Sequence, residues 1–256
     1  MHSFARNGDV FISFRDFGEG QPLVLLHGFS LSSRDWFDMG YVEPLVEAGY
    51  RPILVDIRGH GESGKPHEPD AYTEEAQAGD IASVLDALGI ERADILGYSR
   101  GGRMALDFAC LYPDRVVRLV IGGGHPFRQD MSQFRAATAH GIEGWLAVIE
   151  QSGGPLPAQF RTRVAANDIT ALRAAVALDR PDISGELGAL RSPCLFFVGA
   201  DDPLRPLAHK AGTLLQTAKV IDIPGCNHMT ALQRADLVVP HVLEFLTESE
   251  PIVMNA

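Results

Sequence analysis

Short, uninterrupted apolar runs recur along this chain, at Leu23 to Leu26, Ile53 to Val55, Ile95 to Leu96, Leu119 to Ile121, Leu195 to Val198 and Val220 to Ile223. A strand with one wet face alternates apolar and polar residues, so unbroken runs mark strands buried on both faces, as in a parallel sheet covered by helices. The segments between the runs supply the helices. Ile81, Val84, Leu85 and Leu88, then Met104, Ala105, Phe108 and Leu111, then Val238, Val242, Phe245 and Leu246 each follow the three-and-four spacing of one buried helix face. Strands alternating with helices need right-handed crossovers, which predicts an α/β fold built on a doubly wound, mostly parallel sheet.

Departures from the alternation refine this expectation. At the start, Asn7-Gly8 can take the positive φ angles of a tight turn, and Val10, Ile12 and Phe14 fall at alternate positions. The first 17 residues therefore read as a hairpin of antiparallel edge strands. From about Pro126 to Leu190 no strand pattern occurs; Gln133 to His140 and Ile169 to Leu178 read as helices, with a break at Gly153-Gly154-Pro155. That stretch is too long for a connecting loop in a compact domain. It reads as a small helical cap over the carboxyl ends of the strands, where open α/β sheets place their ligands. The expected organisation is a core of residues 1–125 and 191–256 with a helical cap insertion over 126–190. The last residues, from about Glu248 to Ala256, read as a loose tail.

With 33 acidic against 22 basic side chains and a formal net charge of −11, the chain has no cationic surplus to neutralise phosphates. This argues against nucleic acid as a partner and for a small-molecule substrate. No run approaches the ~20 apolar residues that span a bilayer, and MHSFARNGDV has no apolar stretch of signal-peptide length, so no membrane partner is expected. The cysteines, Cys110, Cys194 and Cys226, stand at no metal-like or paired spacing and read as reduced thiols of a cytoplasmic protein. The sequence says nothing of oligomeric state.

The strongest chemical signal is Gly97-Tyr98-Ser99-Arg100-Gly101, between the strand pattern at Ile95-Leu96 and a helix pattern. GxSxG in that position makes a nucleophile elbow, a sharp strand-to-helix turn that exposes the serine hydroxyl. Serine needs a base, and among 9 histidines His228 stands out because Pro224-Gly225-Cys226-Asn227-His228 lies just past a strand pattern. An imidazole that accepts a proton needs a carboxylate partner, and Gly199-Ala200-Asp201-Asp202-Pro203 follows the strand at Leu195 to Val198. Chemistry alone leaves Asp201 and Asp202 open. Gly59 to Lys65, GHGESGK, satisfies GxxxxGK, but Pro66 follows where a magnesium-binding hydroxyl belongs, so the phosphate-loop reading fails. No clustered metal-ligand pattern is present, and no metal or cofactor is implied.

In this order of serine, acid and histidine the chain resembles the α/β-hydrolase superfamily over essentially its whole length. The resemblance implies Asp202 as the acid of a Ser99, Asp202, His228 triad, because the family's acid usually falls three residues after the glycine ending its strand. It also implies that His27-Gly28-Phe29 marks the oxyanion loop, with the Phe29 and Arg100 amides as donors and His27 beside the substrate. Asp56-Ile57-Arg58-Gly59-His60-Gly61-Glu62-Ser63 matches the family's DxRGxGxS, taken as structural turn chemistry. Arg100 departs from the aromatic or Met residue familiar after the nucleophile, and a guanidinium there can grip a carboxylate bidentately. Arg103 is similar to an arginine of the menaquinone-pathway enzyme that eliminates pyruvate to form a succinyl-hydroxycyclohexadiene carboxylate, which implies substrate binding. The bland alternatives are that Arg103 pairs with an acid on a neighbouring element and that Arg100 reaches into solvent. The expected function is hydrolysis of a small ester or related carbonyl substrate through an acyl-enzyme; the alternatives are a cofactor-free lyase of that menaquinone-pathway type and a carbon–carbon bond hydrolase.

Overall fold

The computed structural model describes residues 2–248, so the tail expected after Glu248 lies outside them. Strands β1 (Ser3–Asn7), β2 (Val10–Asp16), β3 (Gln21–Leu26), β4 (Tyr50–Val55), β5 (Ala93–Tyr98), β6 (Val116–Gly122), β7 (Cys194–Gly199) and β8 (Ala218–Ile223) form one 8-stranded sheet in the order β1-β2-β4-β3-β5-β6-β7-β8. From β3 to β8 neighbours run parallel, while β1 with β2 and β2 with β4 run antiparallel. This is the doubly wound, mostly parallel sheet that the apolar runs predict. The hairpin forms as expected, but of its two strands only β1 lies at an edge of the sheet. β2 is interior because Phe14 pairs with Val55 of β4, which buries Ile12, Ser13 and Phe14.

Helices α1 (Ser33–Asp38), α2 (Val42–Glu47), α3 (Glu74–Ala87), α4 (Arg100–Leu111), α5 (Ser132–Ala139), α6 (Gly141–Gly153), α7 (Ala158–Ala165), α8 (Ile169–Ala175), α9 (Arg205–Gly212), α10 (His228–Ala231) and α11 (Ala235–Glu248) complete the chain. Successive strand side chains point to opposite faces, so each apolar run feeds two cores. Val24 and Leu26 of β3 join Ile81 and Leu85 of α3 and Phe108 of α4 on one face. Leu23 and Leu25 join Trp36 of α1, Leu45 of α2 and Val238 and Val242 of α11 on the other. Leu111 does not share the predicted α4 face; it is 44% exposed, and Tyr112 instead stacks back on Phe108.

Four helices, α5 to α8, occupy the chain between β6 and β7. They carry their own apolar cluster, in which Trp145, Leu146, Ile149, Val164 and Leu172 pack with Phe29 from the loop after β3. Polar ties fasten these helices to the loop after β3 and to α1. Trp145 Nε1 donates to Ser30 Oγ (2.8 Å), Asn167 Nδ2 to the Ser30 carbonyl (3.0 Å), and Arg163 pairs with Asp35 (2.8 Å).

The Asp56 to Ser63 segment is a self-bonded turn. The Asp56 carboxylate accepts from the Ser33 and Glu62 amides, and Ser63 Oγ donates to the Asp56 carbonyl. Lys65 Nζ donates to the Gly61 and Ser63 carbonyls, so the lysine of the phosphate-loop look-alike is tied to the same turn. Here His60 is fully buried beside His27 (ring centroids 5.4 Å), and its Nε2 has no partner. Burial, reinforced by the neighbouring His27 imidazole and the Arg100 guanidinium, holds the His60 imidazole well below the usual histidine range. The folded state therefore keeps it neutral, while the unfolded chain takes up a proton near pH 6.5. Stability is full above that pH and falls as pH drops through it. The melting temperature should decrease from pH 7 to pH 5.5, and His60→Asn should flatten that slope; parallel slopes for the two proteins would contradict this assignment.

Candidate active site

In the sheet order the chain passes from β3 outward to β4 and then from β5 outward to β8, so the loops leaving β3 and β5 diverge. Such a switch point opens a crevice at the carboxyl ends of the strands. Phe29 follows β3, Ser99 follows β5, Asp202 follows β7 and His228 follows β8. The fold thus delivers residues far apart in sequence to one rim.

Ser99 stands between β5 and α4 with φ 53° and ψ −109°, a conformation L-residues rarely adopt and one that costs on the order of 1–3 kcal/mol. The flanking glycines permit the turn. A Cβ on Gly101 would collide with the Leu26 carbonyl, and one on Gly97 with the Gly101 carbonyl. The Ser99 amide donates to the Gly122 carbonyl (2.7 Å), locking the bend against β6.

The hydroxyl Oγ of Ser99 lies 2.9 Å from His228 Nε2, and His228 Nδ1 lies 2.8 Å from Asp202 Oδ2. Asp202 is buried, and its Oδ1 accepts from the Leu204 amide (2.8 Å). Asp201 is exposed and makes no side-chain contact with the imidazole, so geometry separates the two adjacent acids. The imidazole is held from behind, because Tyr98 donates its hydroxyl to the His228 carbonyl (2.5 Å) and Asn227 caps α10 through the Met229 and Thr230 amides.

The amides of Phe29 and Arg100 donate no hydrogen bond within the described residues. Gly28 sits against the nucleophile, since a Cβ there would lie 3.8 Å from Ser99 Cβ. His27 corrects the expectation of a substrate contact. It is buried away from the cavity, its Nδ1 donates to the Gly28 carbonyl (2.8 Å) and its Nε2 accepts from the Ile57 amide (3.1 Å). Burial holds this imidazole below the usual range, which suits a neutral brace.

A cavity of ≈ 1300 Å³ opens above Ser99, larger than the usual small-molecule pocket, and is walled by Met131, Phe134, Trp145 and Ile149 of the insertion. Arg100 and Arg103 line it, but their donors are largely engaged. Arg100 is buried rather than solvent-facing, giving Nη1 to the Ala175 carbonyl (2.9 Å) and Nη2 to Gln77 Oε1 (2.6 Å). Arg103 pairs with Asp107 one turn along its own helix (2.8 Å), not with a neighbouring element, and donates to the Phe127 and Pro181 carbonyls.

Sequence reasoning missed Arg180 and His125, which also line the cavity. His125 had a positional signal, because the glycine-rich turn after β6 ends where open sheets bind ligands. Arg180 had none, since only the fold brings the end of the insertion back to Gln129.

The family model for the α/β hydrolase fold matches residues 21–166. The 2-hydroxy-6-oxononadienedioate/2-hydroxy-6-oxononatrienedioate hydrolase of Klebsiella pneumoniae is 30% identical over 276 residues, 93% of this chain and 91% of that one. The putative 2-succinyl-6-hydroxy-2,4-cyclohexadiene-1-carboxylate synthase of Bacillus subtilis is 25% identical, covering 89% of this chain and 90% of that one. Among solved structures, an esterase from Rhodococcus superposes with a TM-score of 0.82 at 26% identity, covering 96% of this chain and 98% of that one.

Proposed function

Because this chain belongs to the α/β-hydrolase fold family, an enzyme family, we propose that it hydrolyses a small ester or related carbonyl substrate through an acyl-enzyme on Ser99. The observation that carries the reading is the continuous hydrogen-bonded line from Asp202 through His228 to Ser99 beneath a walled cavity. Ser99 Oγ attacks the substrate carbonyl carbon while His228 Nε2 takes its proton. Asp202 holds the imidazole in the tautomer that leaves Nε2 free to accept, and stabilises the cation that forms. The unspent Phe29 and Arg100 amides donate to the oxyanion, each worth about 3–4 kcal/mol in the transition state. His228 then protonates the leaving group, and water repeats the sequence in reverse to release the acid. Helices α5 to α8 act as the cap that shapes the cavity, and the three free thiols support placement in a reducing, cytoplasmic compartment.

A second reading is favoured by the full-length similarity to the Klebsiella and Bacillus proteins. The same triad then serves carbon–carbon bond hydrolysis, or a cofactor-free elimination in which Ser99 and His228 remove a proton. The test is acid-quenched turnover of p-nitrophenyl esters from acetate to octanoate, with intact mass and peptide mapping. An acyl increment on the Ser99 peptide is expected; ester turnover without any adduct would count against the acyl-enzyme, and no turnover of any chain length would count against ester hydrolysis. Turnover of a carboxylate substrate whose products take no oxygen from ¹⁸O-labelled water would move the assignment to elimination.

A further inference from the structure

Three guanidinium groups converge on the cavity beside the nucleophile, those of Arg100, Arg103 and Arg180. Their hydrogen bonding differs. Arg103 is consumed by Asp107 and two carbonyls, and Arg100 retains only a buried Nε with no partner. Arg180 makes no side-chain hydrogen bond or ion pair among the described residues. It is nevertheless held in place, because its backbone exchanges two 3.0 Å hydrogen bonds with Gln129 at the junction of the insertion and the loop after β6. His125, on the same wall, has a buried Nδ1 without a partner.

An unpaired guanidinium and an orphaned Arg100 Nε lining one cavity leave N–H donors that an anionic oxygen pair would satisfy. We propose that Arg180 binds a carboxylate of the substrate, so that the compound acted on at Ser99 is an acid bearing its reactive carbonyl and a separate carboxylate group. This rests on the acyl-transfer reading above and names its substrate class. The charge balance supports it. Asp107 and Glu74 are the acidic groups that bear on Arg180, and Asp107 is already paired with Arg103, so the wall keeps a cationic surplus within a chain of net charge −11. Desolvation, reinforced by Arg180, draws the Arg100 guanidinium down to about 9, and burial, with Arg103 also opposing it, draws Arg180 down to about 10. Both remain cations at neutral pH, and an arriving carboxylate relieves their mutual repulsion. The assignment shifts the main carboxylate grip from Arg100 and Arg103, whose donors are largely engaged, to Arg180.

The test compares the mono-p-nitrophenyl esters of succinate, glutarate and adipate with neutral p-nitrophenyl butyrate, in the wild type, Arg180→Met and Arg180→Lys. A charge-assisted contact of this kind predicts a loss of about 10- to 100-fold in kcat/KM for the best acidic ester in Arg180→Met, chiefly through KM. The neutral ester should change less than about 3-fold, and Arg180→Lys should recover part of the loss. Equal losses on acidic and neutral esters, or no loss, would overturn the proposal. If the wild type turns over no ester, the acyl-transfer reading fails and the subsite is decided separately by calorimetric titration of glutarate. Binding weakened at least 10-fold by Arg180→Met supports the subsite, and absent or unchanged binding refutes it.

Discussion

Ser99→Ala should lower kcat on any substrate of this enzyme by about 10⁶-fold while leaving the fold intact. The size follows from how the site divides its work. Without Oγ no covalent intermediate forms, and the Phe29 and Arg100 amides are left to polarise a carbonyl toward unassisted water. Residual catalysis of about 10³- to 10⁴-fold over solution is what such donors and binding supply by themselves. His228→Ala should cost nearly as much as Ser99→Ala, and the double variant little more than either, because serine and imidazole act as one unit. The strained turn is set by the glycine packing and the Ser99 amide, not by the hydroxyl, so a thermal melt should move little. Matched activity in Ser99→Ala and wild type would mean that chemistry occurs elsewhere.

Asp80→Ala should produce the largest stability loss, about 3–5 kcal/mol, or a fall in melting temperature of roughly 10 °C. Asp80 on α3 and Arg58 from the Asp56 turn form a bidentate pair at 2.6 and 2.5 Å, almost fully excluded from water. Burial raises the Asp80 carboxyl above the ordinary range even though Arg58 opposes it, so desolvation outweighs the attraction of its partner. The pair is therefore costly to break but adds little net stability while intact. Removing one member strands the Arg58 charge, whose other donors go to the Ala71 and Ala76 carbonyls. Asn7, which ties the β1–β2 hairpin to α3 through Asp80, loses an acceptor as well. The double variant Arg58→Met/Asp80→Leu should recover part of the loss by removing the stranded charge. Chemical denaturation of the three proteins checks both statements, and a loss below 1 kcal/mol in Asp80→Ala would contradict them.

The core and the reacting groups were legible because their signals are local. Leu23 to Leu26 needs no distant information to be recognised as a strand wetted on neither face, and GxSxG between a strand and a helix pattern marks its own turn. Other features depend on what approaches from afar. Asp201 and Asp202 are equivalent until the loop after β8 brings His228 to one of them. Helix α6 carries a weak sequence signal because Gly141, Gly144 and Gly153 depress helical propensity, while Trp145, Leu146 and Ile149 find their burial only against Phe29 and its neighbours. His27 looks like a site residue in sequence, yet the Ile57 amide that claims its Nε2 comes from the adjoining strand end. Arg180 is the converse, an unremarkable arginine made prominent by the backbone bridge to Gln129.

Active-site labelling with a fluorophosphonate tests most directly whether Asp202 and His228 activate Ser99. The account predicts one phosphonyl adduct per chain, mapped to the peptide containing Ser99, with its rate reduced at least 100-fold in His228→Ala. An adduct on a different residue, or undiminished labelling in His228→Ala, would contradict it.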